Sequence, residues 1–160
     1  MQDYRLEPAH LSDAARLAAM SRALIESGLR SAWGTDRIGW HVRYAESVVL
    51  TARSDQSVVG FAIMRYGDEA AHLNLLAVDT PYQRRGIARR LMTWLEETAL
   101  TAGTFIISLE LRAQNGAAQD FYRALGYREV GRVPGYYQGL EAAIRMERDV
   151  RVSRPAAARS

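Results

Sequence analysis

The chain has 160 residues with 21 basic and 18 acidic side chains, a net charge of +3 and nearly half hydrophobic residues, which suits one domain with a sizeable core. It contains no cysteine, and every basic residue is arginine, so disulfides, thiolate metal sites, a cysteine nucleophile and lysine-based covalent catalysis are excluded. No apolar run approaches the ~20 residues of a membrane span, and MQDYRLEPAH lacks the basic-then-apolar order of a secretory signal, so a cytoplasmic protein with no membrane partner is expected.

In chain order, Asp3 to Glu7 reads as a first strand ended by Pro8. Ser12 is the expected N-cap of a helix running to about Glu26, with Leu17, Met20 and Leu24 on one face. Gly28 breaks it, Ser27 to Thr35 reads as a loop, and Asp36 to Glu46 as a shorter helix. Val48 to Arg53 and Val58 to Tyr66 are β-rich runs joined by Ser54-Asp55-Gln56-Ser57, a hairpin signal. Gly67-Asp68-Glu69 makes the next turn. His72 to Val78 mixes alternation with a nearly continuous apolar run, the pattern of a strand buried on both faces. Pro81 stops it, having no N–H to offer a ladder. There are no internal repeats or linkers, and the scattered arginines do not mark a nucleic-acid partner.

Next come Gln83-Arg84-Arg85-Gly86-Ile87-Ala88 and a helix carrying Ile87, Leu91, Trp94 and Leu95 at helical spacing. A strand, a short arginine- and glycine-containing loop and a helix start present backbone N–H groups and a positive dipole end to an anion. Gly86 lets the backbone approach that anion, small Ala88 keeps the first turn uncrowded, and Arg84, Arg85, Arg89 and Arg90 add charge. The expected ligand is a phosphate or pyrophosphate. The loop lacks the Gly-Lys-Ser/Thr end of a P-loop and is not GxGxxG.

After Gly103, Phe105 to Leu111 forms another apolar strand, with Glu110 late in it; a carboxylate there must be hydrated, paired or functional. Asn115 stands at the start of a helix, Ala117 to Leu125, as an N-cap, and Gly126 stops it. Asn115 and Tyr122 are two helical turns apart and share a face. Tyr127 to Val133 and Glu141 to Asp149 read as closing strands around a Pro134-Gly135 turn. The domain is expected to span 1–150, with 151–160 (RVSRPAAARS) as a mobile basic tail.

The spacing Gln-x-x-Gly-x-Ala after Leu76-Ala77-Val78, followed by LELRAQNGAAQDFYRALGY, resembles the GNAT N-acetyltransferase superfamily. Its bacterial ribosomal-protein alanine N-acetyltransferase branch is the most similar, and Gly135-Tyr136-Tyr137 and Glu141 to Met146 add to the likeness. The resemblance covers roughly 70–146. It implies an α/β fold: a mixed, mostly antiparallel sheet of six to seven strands with a splayed central pair, flanked by about four helices. It further implies an acetyl-CoA-dependent enzyme that moves acetyl to a primary amine by direct attack, without a metal. On this sequence, Leu76, Ala77 and Val78 would bind the pantetheine arm through backbone groups. Arg84, Arg85, Gly86, Ile87, Ala88 and Arg89 would hold the pyrophosphate, and Asn115 would also touch the cofactor. Glu110 falls at the general base and Tyr122 at the general acid that protonates the departing thiolate.

The acceptor stays open between a protein or peptide N-terminal amine and a small amine such as a polyamine, amino acid or antibiotic. A catalytically idle acyl-CoA-binding module is the alternative of another class. Trp33 and Trp40 are read as core or lid residues, or their helix–loop–helix segment as one wall of an acceptor pocket, with Tyr136 and Tyr137 flanking the acceptor or packing beneath the hairpin. Gln138-Gly139-Leu140 is shorter than the corresponding stretch of that branch, so peptide recognition does not carry over directly. His10, His41 and His72 are read as structural. Members of the family often dimerise, so a homodimer is one expectation.

Overall fold

A computed structural model describes residues 4–25, 33–137 and 141–154. The strands are β1 (Arg5–Pro8), β2 (Ser47–Ser54), β3 (Ser57–Tyr66), β4 (Ala70–Val78), β5 (Ile106–Arg112), β6 (Arg128–Tyr137) and β7 (Glu141–Asp149). The helices are α1 (Ala14–Leu24), α2 (Thr35–Arg43), α3 (Ile87–Ala102) and α4 (Gly116–Ala124). All seven strands join one sheet in the order β1-β2-β3-β4-β5-β7-β6. The expected mixed α/β architecture is present. The chain divides into two compact units: Met1–Tyr66 with Leu73–Leu95, and Gly67–His72 with Glu96–Ser160.

In the first unit, β1, β2 and β3 pair antiparallel. Asp55 takes φ 56° in the two-residue turn closed by the Ser54↔Ser57 pair, the left-handed backbone that such hairpins require. Residues from α1, α2 and the sheet, among them Leu17, Met20, Ile38, Phe61, Ile63 and Leu75, form one core cluster. Gly60 lets α3 begin close to the strands, since a Cβ there would lie 3.2 Å from Ala77 O and 3.3 Å from Ile87 Cγ2.

Three expectations change here. Ser12 is not an N-cap: it sits inside a 3-10 turn, Leu11–Asp13, where the His10 N–H donates to Asp13 Oδ2 at 2.7 Å. The aspartate, a stronger acceptor than a serine hydroxyl, takes the exposed amide, and α1 starts only at Ala14. The second helix stops at Arg43 because Tyr44 turns to extended backbone, ψ 125°; the Ser47 N–H then bonds Tyr44 O on the way into β2. β4 is not buried on both faces. It alternates, with Ala71, Leu73, Leu75 and Ala77 buried and His72, Asn74 and Leu76 half-buried. Glu26, Gly28 and most of the Ser27–Thr35 loop lie outside the described residues.

In the second unit, β5 pairs parallel with the start of β4 through Ala70↔Ile106, Ala71↔Ile107 and His72↔Ser108, and antiparallel with β7. β6 pairs with β7 but slips register twice, between Glu129 and Gly131 and between Val133 and Tyr137. The second slip corrects the expected Pro134-Gly135 turn. Pro134 cannot donate to the ladder and Gly135 takes φ 64°, and the strand absorbs both as a bulge and runs on to Tyr137. The connection at Gln138, Gly139 and Leu140 lies outside the described residues, as do the side chains of Tyr136, Tyr137 and Glu141.

A buried ionic cluster ties this unit together. Glu96, 5% exposed, lies 2.6 Å from Arg148 and 2.6 Å from Arg154, and accepts the Tyr127 O–H at 2.9 Å. Arg151 pairs with Asp149 at 2.7 Å and covers the Phe105 ring. Arg151 and Arg154, at the start of the basic C-terminal stretch, are thus held by the fold; residues 155–160 lie outside the described set.

Candidate active site

The loop after β4 is fastened at both ends. The Asp79 N–H donates to Val59 O at 2.8 Å, Arg16 of α1 reaches Asp79 at 2.6 Å, and Gln83 Nε2 donates to Val78 O at 2.8 Å. Between these anchors the chain makes left-handed turns at Arg84, φ 63°, and Gly86, φ 83°. No atom lies within 4 Å of where a Cβ on Gly86 would stand, so the backbone there is open to a ligand. The Arg90 N–H closes the first turn of α3 on Gly86 O at 3.0 Å. The amides of Ile87, Ala88 and Arg89 lie in that first turn, where a helix supplies no acceptor. Arg84, Arg85 and Arg89 are exposed. Arg90 instead points its guanidinium at the Tyr4 ring, 5.3 Å away. Upstream, Leu76 is half-buried, while Ala77 and Val78 are buried.

The side chains expected from the sequence to be catalytic stand on the second unit. Along β5 the odd and even positions separate: Ile107, Leu109 and Leu111 are buried, whereas Ser108, Glu110 and Arg112 occupy the other, half-buried face. Glu110 is held from both neighbouring strands. His72 Nε2 of β4 lies 2.9 Å from Oε2, and Arg145 Nε of β7 lies 3.3 Å from Oε1. The hydrogen bond from His72 holds the Glu110 carboxyl below its ordinary range, with Arg145 adding to it and partial burial opposing both. The group is therefore an anion at neutral pH. His72 Nδ1 lies 3.1 Å from Ser108 Oγ.

On α4, Asn115 caps the helix, its side-chain oxygen accepting the Ala118 N–H at 3.0 Å. Tyr122 is 8% exposed and meets Phe121 and Tyr127 edge-on, at centroid distances of 5.1 and 5.5 Å. Burial and the Glu96 carboxylate push the Tyr127 phenol up, so it remains a donor to Glu96 and a fixed wall for Tyr122.

The profile of the acetyltransferase (GNAT) family matches residues 17–127. This chain belongs to the GNAT family. It is 38% identical over 100 residues to the [ribosomal protein bS18]-alanine N-acetyltransferase of Salmonella typhimurium, a match covering 61% of this chain and 68% of that protein. It covers a smaller share of other curated relatives it matches. The fold is similar to that of the Escherichia coli ribosomal-protein-S18-alanine N-acetyltransferase, with TM-score 0.82, 23% identity, and 98% and 99% of the two chains covered. It is also similar to that of the PaiA N-acetyltransferase from Thermoplasma acidophilum in complex with coenzyme A, with TM-score 0.80, 16% identity and 92% and 99% coverage.

Of the GNAT positions read from sequence, Leu76, Ala77, Val78 and Arg84 to Arg89 belong to the first unit, and Glu110, Asn115 and Tyr122 to the second. The contacts of His72, Ser108 and Arg145 with Glu110 or with each other are not among the arrangements read from sequence. Period-2 alternation already put Ser108 beside Glu110 on one face. The partners on β4 and β7 depend on strand register, which no local pattern carries.

Proposed function

We propose that this GNAT protein transfers acetyl from acetyl-CoA to a primary amine by direct attack, with a protein N-terminal α-amine as the favoured acceptor. The observation that carries the reading is Glu110: an ionised carboxylate, 15% exposed in its side chain and held between His72 and Arg145. An α-amine titrates near ~8 and an alkyl amine near ~10, so the acceptor arrives largely protonated. Glu110 takes its proton directly or through water. Tyr122 gives a proton to the departing thiolate. The residues of the Gln83–Arg89 loop fit an anionic pyrophosphate, since they combine an open Gly86, exposed arginines and a helix start. The backbone of Leu76 to Val78 is assigned to the pantetheine arm, and Asn115, besides capping α4, to a cofactor contact.

The N-terminal acceptor draws its support from the similarity to the Salmonella alanine N-acetyltransferase. Among the described residues, no helix is long and apolar enough to cross a membrane; a cytoplasmic location is part of the proposal. The test is thiol release from acetyl-CoA against N-terminal peptides, free amino acids, polyamines and aminoglycosides. Turnover on peptides with a free α-amine, lost in Glu110→Gln, is the expected result. Turnover confined to one small amine would move the acceptor to that class. Binding of acetyl-CoA without any turnover would replace the enzyme with a regulatory acyl-CoA module.

A further inference from the structure

We propose that Arg145 selects the acceptor of this reaction, favouring amines that carry a carboxylate close to the reacting nitrogen, such as a peptide with an acidic first residue; the inference rests on the amine-transfer reading above. Arg145 stands directly across from Glu110 in the β5–β7 ladder, and its Nε lies 3.3 Å from Glu110 Oε1. A tight charge-assisted hydrogen bond is shorter, about 2.7–2.9 Å. The contact is made through Nε, so it does not use the terminal nitrogens, which carry most of the N–H donors of a guanidinium. The Arg145 side chain is 55% exposed, against 15% for Glu110. A sheltered anion therefore has an accessible cation beside it.

The sheet leaves room next to that cation. On the β6 side the residue opposite Arg145 is Gly131. It brings no side chain to the face, and no atom lies within 4 Å of where its Cβ would stand. Arg145 thus has Glu110 on one neighbouring strand and open space on the other. By register the same face carries Arg112 on β5, Glu147 on β7 and, opposite Glu147, Arg128 on β6. With Glu110 engaged by the acceptor's ammonium, Arg112, Arg128 and Arg145 stand against Glu147, and the face favours an anion.

The spacing fixes where that anion belongs. Side chains directly opposite each other on neighbouring strands start about 4.5–5.5 Å apart at Cβ. An acceptor that places its amine at Glu110 therefore brings its first side chain, or the carboxylate of a free amino acid, within reach of Arg145. The planar guanidinium fork matches a carboxylate in two parallel hydrogen bonds. An uncharged side chain forgoes that pairing, and a cationic one meets a like charge, so acidic acceptors rank above neutral ones and neutral above basic.

The test measures kcat/KM by thiol release on the full chain. The acceptors are peptides that differ only in a first residue of Asp, Asn or Lys, with free alanine and its amide as small acceptors. The wild type should favour the Asp peptide over the Asn peptide about tenfold or more, mainly through KM, with the Lys peptide last. Arg145→Gln keeps a hydrogen-bonding group beside Glu110 but removes the charge. It should bring the Asp and Asn peptides to the same value whatever its overall rate, with the KM for acetyl-CoA unchanged. Gly131→Leu, which fills the open space, should raise the KM for the Asp peptide with little change in melting temperature. Equal use of the Asp and Asn peptides by the wild type would overturn the inference and leave the function reading in place. A preference that survives in Arg145→Gln would overturn it too. Turnover of alanine over its amide, lost in Arg145→Gln and with all peptides silent, would support the role of Arg145 and place the carboxylate on a free amino acid. A wild type that acetylates no amine would remove the function reading and the selection with it.

Discussion

Replacing Glu96 with alanine is expected to cost stability and to loosen the wall behind Tyr122. The carboxylate is 5% exposed, and the Arg148 side chain is 7% exposed. Deleting the anion leaves Arg148 buried without its counter-charge, a situation that typically costs about 3–5 kcal/mol. Arg154, 21% exposed, can turn toward water and adds less. For a chain of this length each kcal/mol moves the melting temperature by about 2–4 °C, so a drop of roughly 6–20 °C follows. Tyr127 would lose the acceptor of its hydroxyl, and through its 5.5 Å ring contact Tyr122 would lose a fixed neighbour. Urea unfolding of Glu96→Ala, Arg148→Met and the double variant carrying both changes measures the effect. The double variant should be less destabilised than the sum of the single changes, because it removes both charges together. A loss under about 1 kcal/mol in Glu96→Ala, the size of an exposed pair, would refute the reasoning.

Gly86→Trp should weaken acetyl-CoA binding by more than tenfold in calorimetry while the melting temperature falls only a few degrees, since the cost of a side chain at φ 83° is local, about 1–2 kcal/mol. Normal affinity in that variant would sink the pyrophosphate assignment. Gly60→Val should destabilise by about 1–3 kcal/mol in urea, because its side chain meets Ala77 O and Ile87; an unchanged midpoint would contradict the packing of α3. The folded pKa of Glu110 is lowered, so its pairing contributes stability above its ordinary value of 4.5 and loses that contribution as pH falls through the lower folded value. The stability difference between wild type and Glu110→Gln should therefore shrink as the pH falls below 4.5. A difference that persists at strong acidity would show that the glutamine perturbs packing instead.

The features legible in the sequence are those with local causes. Gly86 and the arginines around it mark the loop, Asn115 and Gly126 bracket α4, and Ser54 to Ser57 mark the hairpin; each follows from backbone preference or capping chemistry within a few residues. The half-buried face of β4 was misread because Leu76, on that face, is as apolar as its buried neighbours, so the alternation was masked. Pro134 and Gly135 read as a turn because turns are their commonest use, whereas here the β6–β7 ladder accommodates them as a bulge. His72 and Glu110 lie 38 residues apart, beyond the reach of any local pattern. Only the parallel register His72↔Ser108 brings the two together.

The most direct test of the central claim is mass analysis of a free-amine peptide after incubation with acetyl-CoA and the wild type, Glu110→Gln or Tyr122→Phe. Acetylation of the α-amine by the wild type, strongly reduced in both variants while acetyl-CoA binding is kept, is the predicted result. Equal acetylation by all three proteins would contradict the roles given to Glu110 and Tyr122.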